Sequence, residues 1–91
     1  MKKYNFIVAY DISSPKRLQQ LAKFLEKDAI RIQKSIFFYS EISKNSLGLI
    51  VDNILSIIDE KDDDVRVYQV DINRSISINS AIDLSNPLII R

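Results

Sequence analysis

Residues 4–15 read YNFIVAYDISSP, a strand pattern that stops at a carboxylate and continues into the start of a helix. Apolar side chains dominate the first part, which predicts a strand buried on at least one side. Asp11 stands where that strand leaves the sheet. Ser14 can cap the free amides of a helix, and Pro15 suits its first position. The segment therefore predicts a rigidly placed, solvent-accessible carboxylate at a strand end, a position suited to a metal ligand.

Apolar spacing predicts the remaining elements. Apolar residues recur every three or four positions from Leu18 to Leu25, which indicates an amphipathic helix over residues 15–28. A wider apolar stripe predicts a second helix over residues 46–59. Between the helices, residues 30–42 are rich in β-branched and aromatic side chains, so we expect a bent strand or two short strands broken near Lys34. A last strand is expected over residues 65–70.

The order strand, helix, strand pair, helix, strand is the ferredoxin-like βαββαβ pattern of an α+β sandwich. We expect one domain over residues 1–91, with a core at 4–71 and a C-terminal extension at 72–91 that adds an extra C-terminal strand. Two helices on one face leave the other face of the sheet uncovered, so a homodimer packed sheet to sheet is expected. A core this small favours the same arrangement.

Composition excludes several kinds of chemistry. The chain has neither cysteine nor histidine, so thiolate nucleophiles, zinc-thiolate sites and histidine bases are absent. A bound metal would have oxygen ligands, which favours magnesium or manganese. No apolar run approaches the roughly 20 residues that span a bilayer. We expect no membrane contact and a cytoplasmic location.

The two halves of the chain differ in charge. Residues 1–45 carry nine Lys and Arg against four Asp and Glu, whereas residues 46–91 carry four against eight. This asymmetry indicates a basic face for an anionic partner, or only ordinary surface solvation. The acidic run at residues 59–64 lacks the glycine and the ligand spacing of a calcium loop, so it is interpreted as a solvated acidic turn.

Several motifs together resemble a known family. They are Tyr10-Asp11-Ile12-Ser13, Lys16-Arg17, Leu25-Glu26-Lys27, Arg31-Ile32-Gln33-Lys34-Ser35-Ile36-Phe37 and Asp64-Val65-Arg66-Val67-Tyr68. With the length and element order, they resemble the small CRISPR-associated ferredoxin-like proteins, the second subunit of the spacer-acquisition machinery. Ala29 replaces a usual glycine of that family, and Phe38 an often acidic residue. The tail beyond Asp71 is not matched.

The resemblance implies two functions. The first is a CRISPR adaptation subunit in antiviral defence, a homodimer that binds double-stranded DNA and bridges the large CRISPR integrase subunit. The alternative is a magnesium-dependent endonuclease, an endoribonuclease or endodeoxyribonuclease, that cleaves RNA or DNA through a pair of Asp11 residues at the dimer axis. Whether the chain is an enzyme stays open, and so does a third hypothesis, an interaction domain without a nucleic-acid role.

The resemblance also implies site residues. Asp11 is the expected catalytic residue and metal ligand, whereas the residues alone also allow an aspartate that only ends the strand. The resemblance implies nucleic-acid binding by Arg17, Arg31 and Ser35, and Lys16 and Lys23 are expected to bind as well because they share the helix surface with Arg17. Because lysines contact phosphates and do not read bases, sequence-independent binding is expected. Arg17 on a solvated helix face and Arg31 as an edge-strand charge are the plain alternatives.

Overall fold

The computed structural model describes residues 2–71. The expected extension at 72–91, with its extra C-terminal strand, lies outside the described residues. The elements in chain order are β1 (Tyr4–Asp11), α1 (Pro15–Glu26), β2 (Ile30–Gln33), β3 (Ile36–Ile42), α2 (Lys44–Ile57) and β4 (Asp64–Val70). The segment at 30–42 is therefore two strands, interrupted at Lys34 and Ser35 as one of the two expectations had it.

The strands form one four-stranded sheet in the order β2-β3-β1-β4, and every neighbouring pair is antiparallel. The stretch that opens the chain, β1, occupies the centre, between β3 and β4. This order and the alternation with two helices confirm the ferredoxin-like α+β fold.

Side-chain caps define where both helices begin. Ser14 Oγ accepts a hydrogen bond from the Arg17 backbone N–H at 3.3 Å, and Pro15 follows it in the first turn, as the sequence predicted. Ser43 Oγ accepts one from the Ser46 N–H at 3.1 Å. The second helix therefore begins two residues before the expected position 46, because the serine cap lies further upstream.

The core lies between one face of the sheet and the two helices. Strand alternation directs Phe6, Val8 and Tyr10 of β1 to this face. They meet Phe37 and Tyr39 of β3 and the buried helix residues, which are Leu21, Ala22, Leu25 and Ile54. Because α1 starts four residues after β1 ends, this packing keeps the start of α1 at the Asp11 end of the sheet.

The opposite sheet face, here called the open face, is also largely apolar. Ile7 on β1 is paired with Phe38 on one side and Tyr68 on the other, and only 5% of Ile7 is exposed. Ile30 on β2 pairs with Phe38 on the same face, where it is 65% exposed. Both described helices pack on the other face, so the apolar open face has no helix among residues 2–71 to cover it.

Candidate nucleic-acid and metal site

Asp11 ends β1 and is exposed, as the sequence predicted. Its register partner across the sheet is Asp64, the first residue of β4. The two aspartates therefore extend from directly paired positions of neighbouring strands. Strand alternation places both on the open face, since Tyr10 and Val65 belong to the core side. Arg66, next on that face of β4, binds Asp64 through Nε at 3.1 Å.

The oxygen donors at this end of the sheet suit magnesium, which takes one or two carboxylates and completes its shell with water and phosphate. Among residues 2–71 no group of three or more acidic side chains is arranged to hold a metal ion. A single chain therefore offers Asp11 and, across the strand ladder, the Arg66-paired Asp64. Asp11 as a metal ligand and catalytic residue stays a prediction.

A buried carboxylate that the sequence did not single out lies behind this end. The Asp63 side chain has no exposed surface. It accepts hydrogen bonds from Arg17 Nε at 2.7 Å and Nη2 at 3.1 Å, from Ser13 N at 3.0 Å and Oγ at 3.1 Å, and from Asp59 N at 2.8 Å. The acidic run at 59–64 is thus not a uniformly solvated turn, and that expectation is wrong for Asp63.

These contacts control the charge of Asp63. The Arg17 guanidinium, with the backbone N–H groups of Asp59 and Ser13, holds the pKa of the Asp63 carboxyl well below its usual range, although burial acts in the opposite direction. The same hydrogen bond raises the pKa of Arg17. The pair is therefore ionised at neutral pH. No local pattern revealed it, because Arg17 and Asp63 stand 46 positions apart in the chain.

Arg17 was expected to bind nucleic acid, and in the structure its side chain donates hydrogen bonds to other residues of the chain. Its Nε and Nη2 atoms contact Asp63, and Nη2 also donates to Ser13 Oγ at 3.2 Å. Its side chain is 26% exposed. Among residues 2–71 its remaining terminal nitrogen, Nη1, has no hydrogen-bond partner. Arg17 is thus held along one edge of the guanidinium, and its role toward phosphate stays a prediction.

Arg31 is bound to the turn between β2 and β3. Its Nε and Nη2 atoms donate to the Lys34 carbonyl at 3.2 and 2.8 Å, and Nη1 donates to Glu26 at 3.2 Å. The guanidinium also lies 5.2 Å from the centre of the Phe37 ring, a cation–π distance. Phe37 itself is fully buried, which leaves it no surface on which a base could stack.

The same turn brings Ser35 to the end of β1. The Tyr10 N–H donates to the Ser35 carbonyl at 3.1 Å, and the Tyr10 hydroxyl donates to the Lys34 carbonyl at 3.3 Å. Ser35 therefore lies beside the Asp11 end of the sheet. Arg31 is linked to the same end through the Lys34 carbonyl, which accepts hydrogen bonds from both Arg31 and Tyr10. Nucleic-acid contacts of Arg31 and Ser35 stay predictions.

Lysines form an exposed row along α1. Lys16, Lys23 and Lys27 recur at helical spacing on one surface, with Gln20 between them, and all four residues are exposed. Within the described residues, none of these lysines has a carboxylate oxygen within 4.0 Å; the ion pairs there all involve arginine. The α1 row, as we call Lys16, Lys23 and Lys27, thus begins near Asp11 and carries unneutralised charge away from it.

Comparisons with known proteins agree with this geometry. The family model described as "CRISPR associated protein Cas2" matches residues 4–75. The CRISPR-associated endoribonuclease Cas2 1 of Nitrosomonas europaea is 39% identical over 64 residues, which cover 70% of this chain and 60% of that protein. The chain therefore spans about six tenths of the length of that relative. No helix among residues 2–71 is long and apolar enough to cross a membrane.

Solved structures show the same fold. The structure of Streptococcus pyogenes Cas2 at pH 6.5 matches with a TM-score of 0.72 and 31% identity, covering 80% of this chain and 93% of that one. A chain of the partial Cas6-RT-Cas1–Cas2 complex matches with a TM-score of 0.70 over 97% of this chain and 91% of that one. At 24% identity, the second likeness concerns the fold alone.

Proposed function

The chain belongs to the Cas2 family of CRISPR-associated proteins, and from that premise we propose that it serves CRISPR adaptation as a homodimer that binds duplex DNA and bridges the large integrase subunit. The neighbour from the Cas6-RT-Cas1–Cas2 complex shares the fold only, so the integrase partner rests on the family. In this role the protein contributes an assembly surface, and no bond has to be broken by it.

The observation that carries the proposal is the α1 row. Its lysines are exposed and have no carboxylate partner among residues 2–71. Free cations spaced along a helix can follow a phosphate backbone, and each contact releases counterions from DNA. Binding of this kind has little sequence preference, because contacts to phosphate carry no sequence information.

The open face supports the homodimer. It presents the exposed Ile30 and the half-buried Phe38, apolar side chains that a second copy could cover sheet to sheet. In such a dimer both α1 rows remain on the outside, since α1 packs against the other sheet face. Two basic rows on one particle can contact a longer duplex than one row can.

A second candidate function is metal-dependent cleavage of RNA or DNA. Asp11 is exposed at a strand end opposite Asp64, and the Nitrosomonas europaea relative is named an endoribonuclease. Magnesium or manganese bound there would activate water and neutralise charge on the scissile phosphate. The chain has no histidine to act as a general base, so the metal-bound water would carry that part of the reaction.

One set of assays separates the two functions. Duplex DNA binding is measured by fluorescence anisotropy over a salt series, and cleavage of labelled RNA and duplex DNA is measured with magnesium, manganese or EDTA. The proteins are the wild type, Asp11→Asn, the α1 variant Lys16→Glu/Lys23→Glu, and a matched variant, Lys3→Glu/Lys44→Glu. The matched variant makes the same charge change near Tyr4, at the far end of β1.

The adaptor proposal expects affinity that falls steeply with salt and survives in Asp11→Asn. The α1 variant can no longer bind two phosphates per chain, which should weaken DNA binding at least about tenfold. The matched variant should show a smaller decrease. Equal decreases in both charge variants contradict the α1 row as the binding surface. Metal-dependent cutting that disappears in Asp11→Asn establishes the nuclease. No nucleic-acid affinity even at low salt favours the interaction-domain hypothesis.

A further inference from the structure

We infer that Asp63 is a positioning residue for DNA binding: it holds Arg17 so that the free end of the guanidinium is presented to a backbone phosphate at the start of α1. The inference rests on the proposed function, because it concerns the same DNA-binding surface. It assigns a role in binding to a carboxylate, although a carboxylate by itself repels DNA.

The hydrogen bonds of Asp63 join three segments of the chain. Ser13 belongs to the loop after β1, Arg17 to the first turn of α1, and Asp59 to the loop before β4. Both carboxylate oxygens are used, and the side chain is fully buried. Hydrogen bonds from these three segments hold the carboxylate in one orientation. Because Arg17 binds both of its oxygens, the guanidinium is held in one orientation as well.

Arg17 is gripped along one edge only. Its Nε and Nη2 atoms face Asp63, whereas Nη1 has no partner among residues 2–71 and the side chain keeps 26% of its surface exposed. A free arginine loses much rotamer freedom when it binds, and a pre-ordered one has already lost it. The planar fork is what allows one edge to bind a carboxylate while the other remains available to an anion.

The groups around Arg17 are of both signs: Asp59 and Asp62 of the loop before β4 act on its charge, whereas its own helix is basic at this end. Lys16 is its neighbour on the exposed side of α1, and the first turn of this helix contains no acidic residue. The helix start supplies the favourable end of the backbone dipole. A phosphate at this position would continue the line of contacts that the α1 row begins.

Charge and positioning predict effects of opposite sign, which makes the inference testable. Asp63→Asn removes one negative charge, so charge alone predicts tighter DNA binding. If Asp63 positions Arg17, the same substitution weakens binding. The matched control is Asp62→Asn, which removes the same charge one residue away. Asp62 is exposed and its side chain makes no hydrogen bond within residues 2–71.

The experiment measures duplex DNA affinity of the full chain by anisotropy over a salt series. We expect Asp63→Asn to weaken binding about fivefold and to lower the slope of log affinity against log salt by about 1, as expected when one phosphate is no longer bound. Asp62→Asn should bind as tightly as the wild type or tighter. Tighter binding by Asp63→Asn, as charge alone requires, overturns the inference.

A second variant covers the case in which Asp63→Asn fails to fold. Arg17→Lys keeps the positive charge but lacks the planar fork, so we expect the same loss of affinity. In a folded Asp63→Asn/Arg17→Lys protein the two losses should not add, since both break one unit. Wild-type affinity in Arg17→Lys contradicts the inference alone. A wild type that does not bind duplex DNA contradicts the proposed function, and the inference with it.

Discussion

The arginines and lysines of the expected DNA-binding surface differ in how the protein holds them. Arg17 and Arg31 are both cations expected on a DNA-binding surface, yet each is held by acceptors of its own chain, Asp63 in one case and the Lys34 carbonyl in the other. Lys16 and Lys23 have no such partners among the described residues. The arginines therefore present charge in a fixed direction, whereas the lysines present it on flexible stems.

The Tyr39 hydroxyl gives a prediction at this scale. It is buried without a hydrogen-bond partner among residues 2–71, and burial raises the pKa of Tyr39 to about 12. An unsatisfied buried hydroxyl is costly, so Tyr39→Phe should leave the free energy of unfolding unchanged or raise it by about 1 kcal/mol. Urea denaturation measures this value.

Tyr10→Phe is the matched control, since that hydroxyl donates to the Lys34 carbonyl at 3.3 Å. Losing this bond should lower the free energy of unfolding by about 0.5–1.5 kcal/mol. A larger loss in Tyr39→Phe than in Tyr10→Phe would mean that the Tyr39 hydroxyl is satisfied after all.

At the scale of elements, β1 and α2 differ in how many of their residues are buried. Strand β1 has four buried residues, Phe6, Ile7, Val8 and Tyr10, and it decides the sheet order because β3 and β4 both pair with it. Helix α2 has a broad apolar stripe but buries only Ile54 completely, and Leu49 and Leu55 are exposed. The stability of α2 therefore depends more on the intrinsic helix propensity of its residues than that of α1 does.

Gly48 gives the prediction for α2. It lies inside the helix with an ordinary helical backbone, and a Cβ added there would meet nothing within 4 Å. Gly48→Ala should therefore raise the free energy of unfolding by about 0.5–1 kcal/mol. That gain corresponds to a rise of about 2–8 °C in Tm for a domain of this size.

Gln20→Ala, at an exposed position of α1, serves as the control. Because glutamine and alanine are both good helix formers, the Tm should change little. Thermal unfolding followed by circular dichroism compares the two variants. A Gly48→Ala protein that melts below the wild type would show that this side of α2 has no room for a methyl group.

At the scale of the whole molecule, the sheet separates two surfaces with different properties. The helix side carries the α1 row, and the open face carries the apolar side chains around Ile7 and Phe38. A domain of this size has a small core, so covering the open face with a second copy would add substantially to its stability. Dimerisation and DNA binding therefore use different sides of the sheet in the proposed function.

The dimer is tested with two apolar residues of nearly equal exposure. Ile30 is 65% exposed on the open face, whereas Leu49 is 66% exposed on α2. Ile30→Glu places a charge in the proposed interface and should weaken dimerisation at least about tenfold, because an unpaired charge is costly to bury. Leu49→Glu should leave it unchanged. Sedimentation equilibrium measures both dissociation constants.

A dimer should also show a Tm that rises with protein concentration, since only the folded state associates. A wild type that stays monomeric at high concentration contradicts the sheet-to-sheet dimer. Equal weakening by Ile30→Glu and Leu49→Glu would place the interface elsewhere.

Much of the fold could be predicted from local patterns. The Ser14 cap and the proline that follows it indicated where α1 begins, and the apolar spacing indicated both helices within a few residues of their observed ends. The break at Lys34 and Ser35 was one of two stated expectations, and the structure decides for two strands. Asp11 was expected, and is found, exposed at a strand end. These features depend on neighbours within a few positions, which is why the sequence shows them.

The amino-acid sequence by itself therefore determined the element order, the start of α1 and the strand-end position of Asp11. Three features were decided by the tertiary structure alone. Asp63 is the carboxylate of the acidic run that is buried, and it binds Arg17. Asp64 is paired with Asp11 across the sheet. The physical reason is chain distance. Arg17 and Asp63 are separated by 46 positions, so their contact exists only once β1, α1 and β4 have packed, and no local periodicity records it.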